Sequence, residues 1–261
     1  MGMNEGRRQE LIDDLKAQIR AQELGGRPAG ALPTLPFGVP EIDAALPTGG
    51  LALGAVHEAI GGGPDAAFGA TATLFIGGIL ARTCGPIIWA YSRRDLFAPG
   101  LVGVHPDRVI YVEAGETKTV LLVVEEALRH VGLAAVVGEV DGPLGLTASR
   151  RLQLAAEASG GLGLLLRRPR RLVEDHAAEP TAARTRWRVT PMPSGPALPW
   201  SPSTPGLARA QWRLELLRCR GGEPKTFSVE ACDETGRLGV SAHVADRSAA
   251  SHATPLRAAN G

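Results

Sequence analysis

Between about residues 37 and 168, solid apolar runs alternate with stretches in which apolar side chains recur every three or four residues. Runs at 55–60, 86–91, 108–112, 133–140 and 163–166 predict strands, and 70–83, 119–130 and 147–159 predict helices. Unbroken apolar runs suit strands covered on both faces, and strands separated by helices imply βαβ units. The expected fold class is therefore α/β, a mostly parallel sheet flanked by helices.

The flanks read differently. In residues 5–24, Leu11, Ile12, Leu15 and Ile19 recur at helical spacing among Arg, Asp, Lys and Gln, which predicts an amphipathic helix. Gly25 and Gly26 end it, and a Pro/Gly/Ala linker runs to about residue 36. Such a helix either packs on its own domain or docks on a neighbouring subunit. Beyond residue 168, positions 184–190 alternate like a half-buried strand, and 191–206 carry the Pro, Ser and Gly of a loop. Residues 211–218 and 225–231 flank a Gly221-Gly222 turn, predicting a C-terminal antiparallel hairpin. From Arg247 onward there is no periodicity, and a disordered tail is expected. The expected organisation is helix and linker over 1–35, a core with its hairpin over 36–246, and a tail over 247–261.

Composition narrows the function. Hydrophobic residues make up 44% and charged residues 21%, ordinary for a soluble globular protein, and aromatics only 4%, so aliphatic side chains must build most of the core. A net charge of +1 supplies no overall attraction to nucleic acid or anionic membrane, so any DNA contact must come from a local patch. Cys84, Cys219 and Cys232 lack CxxC spacing, which argues against a disulfide framework and a zinc site and suits a reducing compartment. The start of the chain is polar, without a signal core. The longest apolar stretch, 69–81, falls short of the roughly 20 residues that span a bilayer. A cytoplasmic location without a membrane partner is expected.

The informative stretch is Pro36-Phe37-Gly38-Val39-Pro40-Glu41-Ile42-Asp43, then Gly49-Gly50-Leu51-Ala52-Leu53-Gly54, the strand at 55–60, and a glycine-rich turn from Gly61 through Gly63 to Gly69-Ala70-Thr71. Further on come Val102-Gly103-Val104-His105-Pro106-Asp107 and the hydrophobic run ending at Glu139. In order and spacing these segments, over residues 36–166, resemble the ATPase core of the RecA/recombinase family, and the resemblance implies a RecA-like core.

The catalytic roles of that family are vacant. A working phosphate loop needs Gly-Lys-Ser/Thr, so that the lysine neutralises phosphate charge and the hydroxyl holds Mg²⁺. Here Ala70 stands in the lysine's place, while Thr71 keeps a hydroxyl. The acidic residue that should follow the hydrophobic strand is displaced to Glu139, and Ser92-Arg93-Arg94 stand where a water-activating glutamate belongs. No catalytic residue, metal or cofactor is expected. The turn is either a plain strand-to-helix connection or a residual anion cradle built from Gly61, Gly63, Gly69 and Thr71.

Within that resemblance, Pro36-Phe37-Gly38, Gly49-Gly50-Leu51, Val56-His57-Glu58, Trp89-Ala90 and the late Gln211-Trp212-Arg213-Leu214-Glu215-Leu216 are similar to the ImuA family, which is related to the division inhibitor SulA. The resemblance implies a non-catalytic role in SOS-inducible translesion mutagenesis. Its implied partners are an ImuB-like Y-family polymerase homologue and an inducible C-family DNA polymerase complex, with RecA, single-stranded DNA and self-association as further candidates. Leu11, Leu15, Ile19 and Trp212 are the candidate partner-binding residues, and Trp187 reads either as an anchor or as a half-buried strand aromatic. Arg167, Arg168, Arg170 and Arg171 form a basic cluster that reads either as a solvated loop or as a DNA-phosphate patch. His57 reads as a core histidine with a local partner. Two other functions stay open: SulA-like inhibition of cell division, and a DNA-dependent ATPase with an unconventional loop.

Overall fold

The computed structural model describes residues 7, 33–169, 178–198, 200, 201 and 203–240. The expected N-terminal helix with Leu11, Leu15 and Ile19, the basic residues Arg170 and Arg171, and the expected tail lie outside the described residues.

Strands β1 (Thr34–Leu35) and β2 (Leu51–Ala52) pair as a small antiparallel ribbon. All other strands among the described residues join one nine-stranded sheet: β3 (Ala55–Gly61), β4 (Ile87–Tyr91), β5 (Val109–Glu113), β6 (Ala135–Asp141), β7 (Leu162–Arg168), β8 (Thr185–Met192), β9 (Gln211–Cys219), β10 (Lys225–Glu230) and β11 (Gly239–Val240). Their order is β11-β10-β9-β8-β3-β7-β6-β4-β5. From β8 to β5 every pairing is parallel, and from β8 to β11 every pairing is antiparallel, so the α/β expectation holds.

Among the described residues four α-helices accompany the sheet: α1 (Pro40–Asp43), α2 (Asp65–Ala81), α3 (Thr117–Leu128) and α4 (Leu146–Ser159). Helix α2 packs on β3, β7 and β8 on one face; α3 covers β4 and β6, and α4 covers β3 and β7, on the other. The α2 side holds Phe75, Trp89, Trp187 and Trp212, while the opposite side holds Val56, Val124, Leu152 and Leu165. Helix α4 ends at Gly160, whose φ of 79° closes the last turn in the left-handed region.

The motif before β3 is a plug for this core. Asp43 accepts hydrogen bonds from the backbone N–H of Phe37 (2.7 Å) and of Gly38 (2.9 Å), which folds the chain back on itself. That turn drives Phe37 against Phe75 and Trp187, with ring centroids 5.9 and 5.4 Å away. Ile42 is fully buried beneath it. The spacing of Phe37, Ile42 and Asp43 is therefore explained by packing and turn chemistry.

Two boundaries differ from expectation in ways that matter for function. Helix α2 starts at Asp65, after Pro64, rather than at residue 70, because the alanine-rich residues after Asp65 take up helix readily. The glycine-rich turn shrinks to residues 62–64. Strand β7 runs on through Arg167 and Arg168, so these arginines belong to the sheet, not to a loop beyond it.

Candidate functional site

In open α/β sheets ligands bind beyond the carboxyl ends of the parallel strands. Here β3, β4, β6 and β7 end together around the turn at residues 62–64, where a phosphate cradle is expected. A cradle needs backbone N–H groups aimed at an empty concavity. The N–H of Gly62 instead donates to Val189 O of β8 at 3.0 Å, and that of Asp65 donates to Pro169 O at 2.8 Å. Phe68 fills the space beside the glycines: a Cβ on Gly61 or Gly63 would collide with it, and one on Gly62 would collide with Thr190. The glycines let neighbouring atoms close in and leave no open loop. Gly69 is needed for a related reason, since a Cβ there would collide with Asp65 Oδ1.

That Asp65 carboxylate is the hub of an ionic cluster. Arg168 of β7 grips both of its oxygens through Nε at 3.1 Å, and Nη2 adds a bond of 2.8 Å to Oδ2. The same guanidinium holds Asp95, at 2.8 Å to each oxygen, and Glu139 of β6. Arg93 bonds Asp65 at 2.8 Å and pairs with Asp141 at 3.1 Å. Glu139 also accepts from the Trp89 indole at 2.8 Å. Burial pushes the Glu139 carboxyl above its ordinary value, against the opposing pull of Arg168 and Trp89. The hydrogen bonds from Arg168 hold Asp95 below the usual carboxylate range. Four carboxyl groups thus face two guanidiniums, an excess of negative charge beside the turn at residues 62–64.

A second network lies deeper. Glu58 of β3 is fully buried and accepts from Arg186 Nε at 2.7 Å and from the Thr181 hydroxyl. Arg167 Nη1 stands 3.5 Å from the same carboxylate, while its Nη2 reaches Glu179 at 2.8 Å and Gly142 O at 2.9 Å. Next to Glu58 in β3, the His57 ring bridges the Thr185 hydroxyl (2.7 Å) and Ala52 O (2.9 Å), and the Trp187 indole donates to the same hydroxyl at 2.8 Å. Burial lowers the His57 pKa to about 4, so the ring is neutral near pH 7.

These placements answer the sequence expectations residue by residue. Gly61, Gly63 and Gly69 sit where Phe68 and Asp65 close the turn, and Thr71 is buried in α2. Arg167 is 1% exposed and Arg168 has 11% of its side chain exposed, and both turn into the protein to meet carboxylates. Trp212 is packed in the core beside Leu214 and Leu216 of the same cluster, and Trp187 is buried with it. His57 has the local partners expected of a core histidine. Asp65 and Asp95 were not legible as partners of Arg168, because they lie 103 and 73 positions from it, and Glu179 meets Arg167 only through the fold. The one signal was a surplus of arginine at the ends of apolar strands, where a charge must find a counter-ion if buried.

Beside the cluster, a cleft of about 440 Å³ opens between Ser92–Arg93, Glu116–Thr117 and Asp141–Gly142. Among the described residues no group of three or more His, Cys, Asp or Glu is placed to hold a metal ion. No helix among them is long and apolar enough to cross a membrane.

No family model matches the chain. Among curated proteins it is similar to Protein ImuA of two Caulobacter vibrioides strains, NA1000/CB15N and ATCC 19089/CB 15. In each case 43% of residues are identical over 209 aligned positions, covering 76% of this chain and 84% of the relative.

Proposed function

This chain belongs to the ImuA family, and from that membership we propose that it is a non-catalytic accessory protein of inducible, error-prone lesion bypass. The observation that carries the absence of catalysis is the Asp65–Arg168 clamp. It stands at the start of the helix where a nucleotide-hydrolysing relative would hold phosphate. The turn's N–H groups at Gly62 and Asp65 already have carbonyl partners. The surrounding carboxyl groups repel a phosphate, and Ala70 supplies no cation to offset them.

On this reading the scaffold works by binding. Its partners are an ImuB-like polymerase homologue and, through it, an inducible C-family polymerase complex. The apolar stripe of Leu11, Leu15 and Ile19 is the docking element we assign to the polymerase homologue, since Trp212 is committed to the core. Co-purification tests this directly. Charging Leu11, Leu15 and Ile19 to Asp should abolish capture of the polymerase homologue, and undiminished capture would refute the assignment. Phosphate release from ATP with single-stranded DNA tests the absence of catalysis; turnover lost in an Asp65 or Arg168 variant would overturn it.

A further inference from the structure

The outer face of α2 is anomalous among the three long helices. Helix α3 exposes Lys118 and Glu126 beside Leu122, and α4 exposes Arg150, Arg151 and Glu157 beside Leu154, so on both helices charge surrounds the exposed leucine. Helix α2 carries no charged residue from Ala66 to Ala81. The C-terminal half of its outer face is covered: Leu101 lies against Gly77, Cys232 against Gly78, and Gly103 and Gly236 against Ala81. The N-terminal half continues the same stripe through Ala67, Ala70 and Leu74, all exposed, and Leu74 is 40% exposed. Phe97, in the loop that brings Leu101 to the helix, is 74% exposed. The face is thus half covered by the chain itself, and Leu74 stands in the uncovered half.

We infer that the seat around Leu74 is occupied by residues 8–24 of the same chain, laid along α2 through Leu11, Leu15 and Ile19. Two observations pick this occupant. The first is where the described chain begins. Pro33 O accepts from Leu53 N, and Pro36 O accepts from the guanidinium of Arg82, the residue that caps the C-terminal end of α2. From Arg82 to Leu74 is about 12 Å along the helix, at about 1.5 Å per residue. The linker of residues 25–32 spans up to about 27 Å when extended, so it reaches the seat with slack. The second is complementarity: the preceding stretch carries one apolar stripe on an otherwise charged sequence, and α2 offers an uncharged face on which alanines let a second helix approach to about 8–10 Å. The contact needs the same side chains that we assign to the polymerase homologue, so partner binding would release it. The inference itself does not depend on that assignment.

Amide hydrogen exchange on the full chain without partners separates the two. Replacing Leu11, Leu15 and Ile19 with Asp should speed exchange over residues 66–74 by about tenfold, the change that about 1.4 kcal/mol of docking energy gives, while β6 stays protected. Leu74→Asp, on an exposed position that leaves the core intact, should speed exchange over residues 8–24 in return. Unchanged exchange over 66–74 in the stripe variant overturns the proposal. So does protection that disappears on dilution, which would place a second copy on the seat. Partner capture is measured apart from exchange, so a failed polymerase assignment leaves this result standing.

Discussion

Arg168 Nη2 lies 2.8 Å from Asp65 Oδ2, joining the last residue of β7 to the first residue of α2 across 103 positions of sequence. This pair ties the sheet to the helix. With 11% and 6% of their side chains exposed, the two charges are protected from solvent and depend on each other.

Removing one partner should therefore be costly. Asp65→Ala is expected to lower the unfolding free energy by about 3 kcal/mol, because it leaves Arg168 and Arg93 short of a buried counter-charge. Arg168→Ala should cost at least as much, since three carboxyl groups lose their shared cation. Urea unfolding measures both. A loss below about 1 kcal/mol for either would show that the cluster relaxes around the gap.

The deeper network makes a parallel prediction. Glu58→Ala takes the buried carboxylate from Arg186 and Arg167 and removes the acceptor of Thr181, so a loss of about 3–5 kcal/mol is expected. Glu58→Gln keeps the shape and one acceptor and should lose less. Thermal unfolding of the two variants side by side ranks them.

Acid sensitivity follows from His57. Its folded pKa of about 4 lies below the ordinary 6.5, so between these values the unfolded chain binds the extra proton. The contribution is fully present above about pH 6.5 and is lost as pH falls toward 4, about 3 kcal/mol in all. Glu139 acts oppositely: its raised folded pKa adds stability below the ordinary glutamate value, and that contribution fades as pH rises. Stability measured from pH 7.5 to 4 should thus fall, and His57→Gln should flatten the slope between pH 6.5 and 5. An unaltered slope in the variant would remove His57 as the cause.

Restoring a lysine should not restore nucleotide binding. Ala70→Lys places a cation on the exposed side of α2, beside a turn whose glycines are packed by Phe68 and Thr190. No shift in melting temperature with Mg-ATP is expected. A clear shift would mean that the closed turn opens at small cost.

Much of the sheet was legible because burial writes itself into apolar runs. The apolar stretch at 133–140 became β6, shifted to Ala135–Asp141, the run around Leu164 became β7, which helices cover on both faces, and α4 was read to within one residue of its start. The start of α2 was misplaced because the resemblance to a phosphate loop suggested a longer turn, whereas Pro64 and the alanines after Asp65 begin the helix early.

The sequence by itself determined residue identities, Ala70 before Thr71 and Arg93 and Arg94 after β4, and with them the expectation of an emptied phosphate loop. It also determined the α/β class, because hydrophobic periodicity is local. Only the tertiary structure decided that Arg167 and Arg168 point inward, that Trp212 is core, and that Asp65 pairs with Arg168. Charge pairing acts through space: a guanidinium on β7 and a carboxylate on α2 become neighbours only when parallel strands bring their carboxyl ends to one edge.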